Sequence, residues 1–293
     1  MSDQITSHPN YGVEQHSIDY IPTTERHGKV RDQGPFWFTG NFQFLLISIG
    51  FIGPGMGLSF LWTSVAGILG IMFGTLFMAF HATQGPVPGL PQMVQSRAQF
   101  GYRGVIVPLF GTLVNYGGML TLVTAADSIK PVKPTKAIRA VYICVITALW
   151  ALVAWFGGQS AMNALTLVLT IILYLLVPWT SVNLVDFFFV RRGHYAVTQL
   201  FKPHGIYGEW AWRGLLSYAL GWVAIIPFAV LPGLWTGPLA AKLGGVDIGW
   251  LMGLLAAGGS YYVIGKGIAI DTEYGAIQTS ETELKGYALA AGE

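Results

Sequence analysis

Apolar runs of helical length alternate with short polar breaks along most of the chain. Seven stand out: Phe38–Met56, Phe60–Phe80, Val105–Ala126, Ala140–Phe156, Ala164–Val185, Leu215–Leu234 and Ile248–Ile264. About 20 apolar residues in a helix cross a bilayer's hydrocarbon core, and these runs reach or approach that length. They predict helices. Trp37, Trp150, Trp155, Trp179, Trp212, Trp235 and Trp250 lie near the run ends, where amphipathic rings anchor at a membrane interface. Residues 1–35 and 268–293 are polar and of mixed charge, and read as cytoplasmic tails. The expected fold class is an all-α integral membrane protein.

Composition narrows the class. Of 293 residues, 53% are hydrophobic and only 10% charged, with a mean hydropathy of +0.54. No Asp, Glu, Lys or Arg occurs from Gln33 to Ser96. The net charge of +2 carries no nucleic-acid signal, because the basic residues sit at the ends of apolar runs. The one cysteine, Cys144, lies inside such a run, so it forms no intramolecular disulfide and reads as a packing residue. An N-terminus without a cleavable signal pattern is compatible with a bacterial inner membrane.

Charge at the run ends predicts sidedness, since Lys and Arg concentrate in cytoplasmic loops. Arg26, Lys29 and Arg31 place the N-terminal tail inside; Arg97 and Arg103 place the second connection inside; Arg191, Arg192, Lys202 and Arg213 do the same for a later loop. The connections Gly57–Ser59 and Gly157–Asn163 carry no basic residue and are expected outside. One region breaks the alternation. Arg97 and Arg103 precede Val105–Ala126, and Lys130, Lys133, Lys136 and Arg139 follow it. Both flanks call for the cytoplasm, which a single spanning helix cannot satisfy. Either an odd number of spans is missing here or the segment is re-entrant.

Few residues offer chemistry. Asp127 and Asp186 are the only acids between Gln33 and Gly208, and neither a paired-carboxylate metal motif nor an H-E-x-x-H motif is present. No nucleophile elbow stands out, so no enzyme is expected and no cofactor. In the first run, Gly50, Gly53, Pro54, Gly55 and Gly57 lie close together. Gly and Pro interrupt helices. Two readings stand: a broken helix freeing carbonyls at membrane depth, or a helix end followed by a tight turn. Asn115, followed by Tyr116-Gly117-Gly118, is an amide in an apolar run. It faces a ligand, or it ties helices together. Asp186 relays a proton or binds a cation, or it sits at the cytoplasmic boundary beside Arg191 or Arg192, a pairing of small energetic value; the neighbouring arginines favour the second. In the connection Gly85–Gly104, Met93, Val94 and Phe100 suit an interfacial helix facing the membrane, with the arginines toward phospholipid. His81 and His194 read as interfacial.

Several stretches resemble one family. Phe36–Gly55, Gly85–Gly104, Asn115–Lys136 and Trp179–His194 are similar to the nucleobase–cation symporters of the purine/cytosine permease type. The segment Leu90-Pro91-Gln92-Met93-Val94-Gln95-Ser96-Arg97-Ala98-Gln99-Phe100-Gly101 is the most specific part. The resemblance implies a LeuT-like inverted-repeat fold, usually of twelve helices. It also implies transport of purines, pyrimidines, allantoin or hydantoins with Na⁺ or H⁺ as coupling ion. Against that pattern the chain looks like helices 1, 2 and the start of 3 (residues 36–114), joined to the end of helix 8 and helices 9–12 (residues 115–267). Helices 4–7 are expected to be absent.

By the same resemblance, Asn115 and Gly117 are the expected substrate-binding residues. The carbonyls of Ile49, Gly50, Ile52 and Gly53 are the expected cation ligands. Leu109 and Phe110 stand where hydroxyl partners of the cation belong, so that site is expected to be incomplete. The expected function is secondary transport of a nucleobase or related compound, impaired by the missing helices. The alternative is a non-transporting binding or regulatory remnant, or an inactive gene fragment. Expected partners are a small-molecule substrate and the lipid bilayer, with no nucleic acid.

Overall fold

The computed structural model describes residues 20–23, 26, 30–41, 49–112, 163, 166–266, 268 and 270–291. Helix α1 spans Val30–Asn41 and a short turn of helix, α2, spans Ile52–Gly55. Ser59, in an extended conformation, then caps the long helix α3, Phe60–Gln84, by accepting the Trp62 N–H. An Ncap hydroxyl satisfies a donor that the helix itself leaves free. At 25 residues, α3 is about 37 Å long, enough to cross a membrane. Most of its side chains are exposed. Thr63 lies against Gly53, Phe73 meets the Trp250 ring edge-to-face, Phe80 meets Phe188, and His81 and Gln84 in the last turn are buried.

A turn follows, with Gly89 in the left-handed region (φ 66°). The Arg26 guanidinium donates to the Pro86 carbonyl at 2.6 Å, and the Ile21 N–H donates to Gly89. The N-terminal segment is thereby strapped across this turn. Two short helices come next, α4 (Gln92–Gln95) and α5 (Arg97–Phe100). Their apolar side chains face protein, not lipid: Val94, Ala98 and Phe100 are all buried. Arg97 donates to the Leu200 carbonyl and lies over the Tyr102 ring. The interfacial orientation expected for Met93, Val94 and Phe100 is therefore corrected for Val94 and Phe100. Gly101 (φ 88°) turns the chain so closely onto residue 209 that a Cβ would lie 2.5 Å from the Glu209 carbonyl oxygen. Backbone bonds from Tyr102, Arg103 and Gly104 to Gly208 and Glu209 then seal the two loops together.

The packed part of the molecule is carried by three helices: α6 (Thr166–Val190), α7 (Trp212–Ile225) and α9 (Gly249–Gly265). Between the last two lies the short α8, Pro238–Lys242. Small residues let these helices approach closely, as membrane helices do where van der Waals contact drives association. A Cβ on Gly221 of α7 would lie 2.8 Å from the Ala257 Cβ of α9. The Ser181 hydroxyl on α6 donates to the Leu254 carbonyl on α9 at 2.6 Å. Phe100, Trp179, Val182, Val190, Tyr218, Ala257 and Tyr261 form the shared core.

Three of the expected runs return as helices with small changes of boundary, namely α3, α6 and α9. Two expectations are corrected. Leu215–Leu234 is not one helix: α7 stops at Ile225, Pro227 sits in a 3₁₀ turn, and Pro232-Gly233 turns an antiparallel pair, β1 (Val230–Leu231) with β2 (Trp235–Thr236). Proline lacks the N–H that a helix needs, so turn chemistry overrides apolarity. Within the C-terminal tail, Ile270–Ala291 is a helix, α10, with Ile277 and Ser280 buried. Among the described residues, α3 and α6 are long and apolar enough to cross a membrane. Ala140–Phe156 and most of Val105–Ala126 lie outside the described residues; residues 106–112 are helical.

Candidate functional site

The expected cation ligands lie around α2. Ile49 and Gly50 are helical, Phe51 interrupts, and α2 follows. The Ile52 carbonyl accepts the Met56 N–H, and the Gly53 carbonyl accepts those of Met56 and Leu58, each at 3.0 Å. Gly57 (φ 83°) closes the turn. Gly53 abuts the next helix, since a Cβ there would fall 2.5 Å from Thr63 Oγ1. Two of the four carbonyls are thus engaged by the turn itself. Asn115 and Gly117 lie outside the described residues. Leu109 and Phe110 lie on the helical stretch 106–112.

The most completely built polar site centres on Asp186. Helix α6 widens into a π-helical turn at Asp186–Val190, with the Arg191 N–H reaching the Asp186 carbonyl at 2.7 Å. Such wide turns are rare and concentrate at functional positions. Here the turn directs Asp186, Phe187 and Val190 inward, while Phe189 is exposed. Arg192 (φ 51°) and Gly193 (φ 78°) are both left-handed. They reverse the chain and return Tyr195 to the carboxylate.

Asp186 is 0% exposed, yet none of its acceptor capacity is wasted. Oδ1 accepts Arg191 Nη1 at 2.6 Å and the Tyr261 hydroxyl at 2.8 Å. Oδ2 accepts the Tyr195 hydroxyl at 2.7 Å and the Gln99 amide. Two carboxylate oxygens offer about four acceptor positions, and these four donors fill them. Arg191 uses its other edge on the C-terminal helix: Nε and Nη2 each donate to the Glu273 carboxylate at 3.1 Å. The guanidinium also lies 5.3 Å from the Tyr207 ring centroid. Burial disfavours its charge, but the carboxylates of Asp186 and Glu273 more than compensate and hold its pKa above the ordinary value. Burial, then the Asp186 carboxylate, pushes the Tyr195 hydroxyl well up, so it remains a donor.

The pairing of Asp186 with Arg191 agrees with the sequence reading; its weight does not. The pair is buried and joined to five further groups. Breaking such a pair on one side strands a charge. Gln99, Tyr195, Tyr261 and Glu273 had no local signal. His81 is also corrected: its ring is buried and stacks on Trp179, centroids 5.0 Å apart and planes within 9°. The Trp179 indole N–H donates to the Ser96 hydroxyl at 2.9 Å. In the first half of α6, the Tyr174 hydroxyl donates to Asp247, whose other oxygen accepts the Gly249 N–H at the start of α9 at 2.9 Å. Among the described residues no group of His, Cys, Asp and Glu could hold a metal ion.

A family model described as permease for cytosine/purines, uracil, thiamine and allantoin matches residues 20–130 and, separately, residues 111–253. The chain belongs to this permease family. Membership makes it a membrane protein and places it among permeases, not enzymes. The inferred purine-cytosine permease YxlA of Bacillus subtilis (strain 168) is 46% identical over 112 residues. That match covers 38% of this chain and 24% of YxlA, so the permease chain spans well under two thirds of this relative. No solved structure matches it at a significant level.

Proposed function

We propose that this chain is an internally shortened secondary transporter of the permease family, built for a nucleobase or related compound such as cytosine, a purine, uracil, allantoin or a hydantoin. In this reading residues 36–114 and 115–267 are two blocks of a LeuT-like permease, joined where helices 4–7 would lie. Both tails are cytoplasmic and the blocks are multi-pass in the plasma membrane, a bacterial inner membrane by preference. The observation that carries the reading is a coincidence of two independent signals. Basic residues flank Val105–Ala126 on both sides, and the family model matches in two parts that overlap at 111–130. A fused pair of half-helices, one running outward and one inward, accounts for both.

Asn115 and Gly117 are the proposed substrate contacts, and Ile49, Gly50, Ile52 and Gly53 the proposed carbonyl ligands of Na⁺. A carbonyl oxygen has two lone pairs, so the local bonds of Ile52 and Gly53 leave room for a cation. Leu109 and Phe110 offer it no oxygen side chain, and transport is therefore impaired. The test is uptake of labelled uracil, cytosine, adenine, hypoxanthine, allantoin and a hydantoin into proteoliposomes, with and without Na⁺ and pH gradients. At most residual uptake is expected from folded, inserted protein, and Asn115→Ala abolishes what remains. Vigorous saturable uptake, unchanged by Asn115→Ala, would overturn both the impairment and the assignment of Asn115.

A further inference from the structure

The C-terminal helix meets the rest of the molecule along one narrow stripe. Glu273, Ile277, Ser280 and Leu284 recur at helical spacing and share a face. Glu273 grips Arg191 through two bonds. Ile277 is 4% exposed and joins the cluster with Leu90, Val94, Phe187 and Leu200. The Ser280 hydroxyl accepts the Thr198 N–H at 3.0 Å. The other face is bare: Tyr274, Glu281 and Lys285 are exposed. Thr279 and Thr282 donate within their own helix, to the carbonyls of Gly275 and Gln278.

We propose that α10 is a detachable strap. Docked, its Glu273 fixes the outer edge of Arg191, and through Arg191 and Asp186 it fastens α5 to α6 and α9. Undocked, it loosens α5 and the 101–104 turn that follows.

Two features make the strap separable. Without α10, Arg191 keeps Asp186, the Tyr261 hydroxyl at 3.3 Å and the Tyr207 ring. Asp186 keeps all four donors. No buried charge is orphaned, which is the outcome that makes breaking a buried network expensive. Segments held by few buried groups open at lower free energy than the core around them. What changes on release is the freedom of the Arg191 fork, since two of its donors lose a fixed planar partner. That freedom passes to the carboxylate that also holds Gln99. Gln99 lies just before Gly101, where the two loops are sealed. The device does not depend on whether the chain transports.

Hydrogen exchange on the full chain in nanodiscs tests it with two variants. Glu273→Ala removes the grip on Arg191, whereas Ile277→Ala weakens docking without touching the ionic network. Both are expected to speed exchange in α10 roughly tenfold and also to speed it at 97–104, with the amides of α9 unchanged. Glu273→Gln, which keeps an acceptor oxygen, falls between Glu273→Ala and the parent chain. If α10 exchanges faster while 97–104 does not, the helix is detachable but fastens nothing, and the proposal fails. Unchanged exchange in α10 fails it as well. Should Glu273→Ala not fold, Ile277→Ala decides alone.

Discussion

Helices α3 and α6 have the same length, 25 residues, and nearly the same hydropathy, 1.8 and 2.0, yet 6% of the most apolar stretch of α3 is buried against 39% in α6. Hydropathy fits both to a bilayer and says nothing about which one has neighbours. The difference comes from polar groups and small residues. Helix α6 is pinned near its C-terminal end by Asp186 and in its first half by Tyr174, and α9 closes on it where Ser181 meets Leu254. Among the described residues helix α3 makes ring contacts from Phe73 to Trp250, from Phe80 to Phe188, and in its last turn, where His81 stacks on Trp179. Gly67, Gly70 and Gly74 of α3 have open space where a Cβ would go.

Substitutions can break or sharpen this contrast. The largest effect is expected from Asp186→Ala, which takes one of two carboxylates from the buried Arg191 and the acceptor from the hydroxyls of Tyr195 and Tyr261. Losing one partner of a buried pair costs about 3–5 kcal/mol, read as a steep fall in melting temperature or folded yield in detergent. Next comes one substitution made in both regions. Gly221→Val forces a side chain into Ala257 and Pro178 and is expected to cost about 1–3 kcal/mol by overpacking. Gly70→Val meets nothing and should stay within about 0.5 kcal/mol. Equal losses at the two glycines would mean that α3 is covered after all. Tyr174→Phe removes the hydroxyl shared by Asp247 and the Val230 N–H. It should cost about 1–2 kcal/mol, visible as a modest drop in melting temperature. Ile71→Ala, on the open side of α3, is expected to be silent within about 0.5 kcal/mol in the same measurement.

Much of this contrast is invisible along the sequence. The runs that became α3, α6 and α9 were legible because apolar length is a local property. Leu215–Leu234 misled because hydropathy averages over Pro227 and Pro232-Gly233, which set the backbone there. The C-terminal segment read as a tail because it is mostly polar. Its stripe of Glu273, Ile277, Ser280 and Leu284 gains meaning only beside Arg191 and Thr198. Asp186 announced Arg191, five residues on, but Gln99 and Tyr261 lie 87 and 75 residues away. A network closed by tertiary contacts has no spacing to read. The break expected at Val105–Ala126 rests on the opposite kind of signal: charge bias acts on each loop by itself.

The shortened-permease account turns on that break, and sidedness tests it most directly. Topology reporters are placed near Gln99 and near Lys133 in the membrane-inserted full chain. The account expects both on the cytoplasmic side. Reporters on opposite sides would make Val105–Ala126 an ordinary span and contradict the joining of two blocks there.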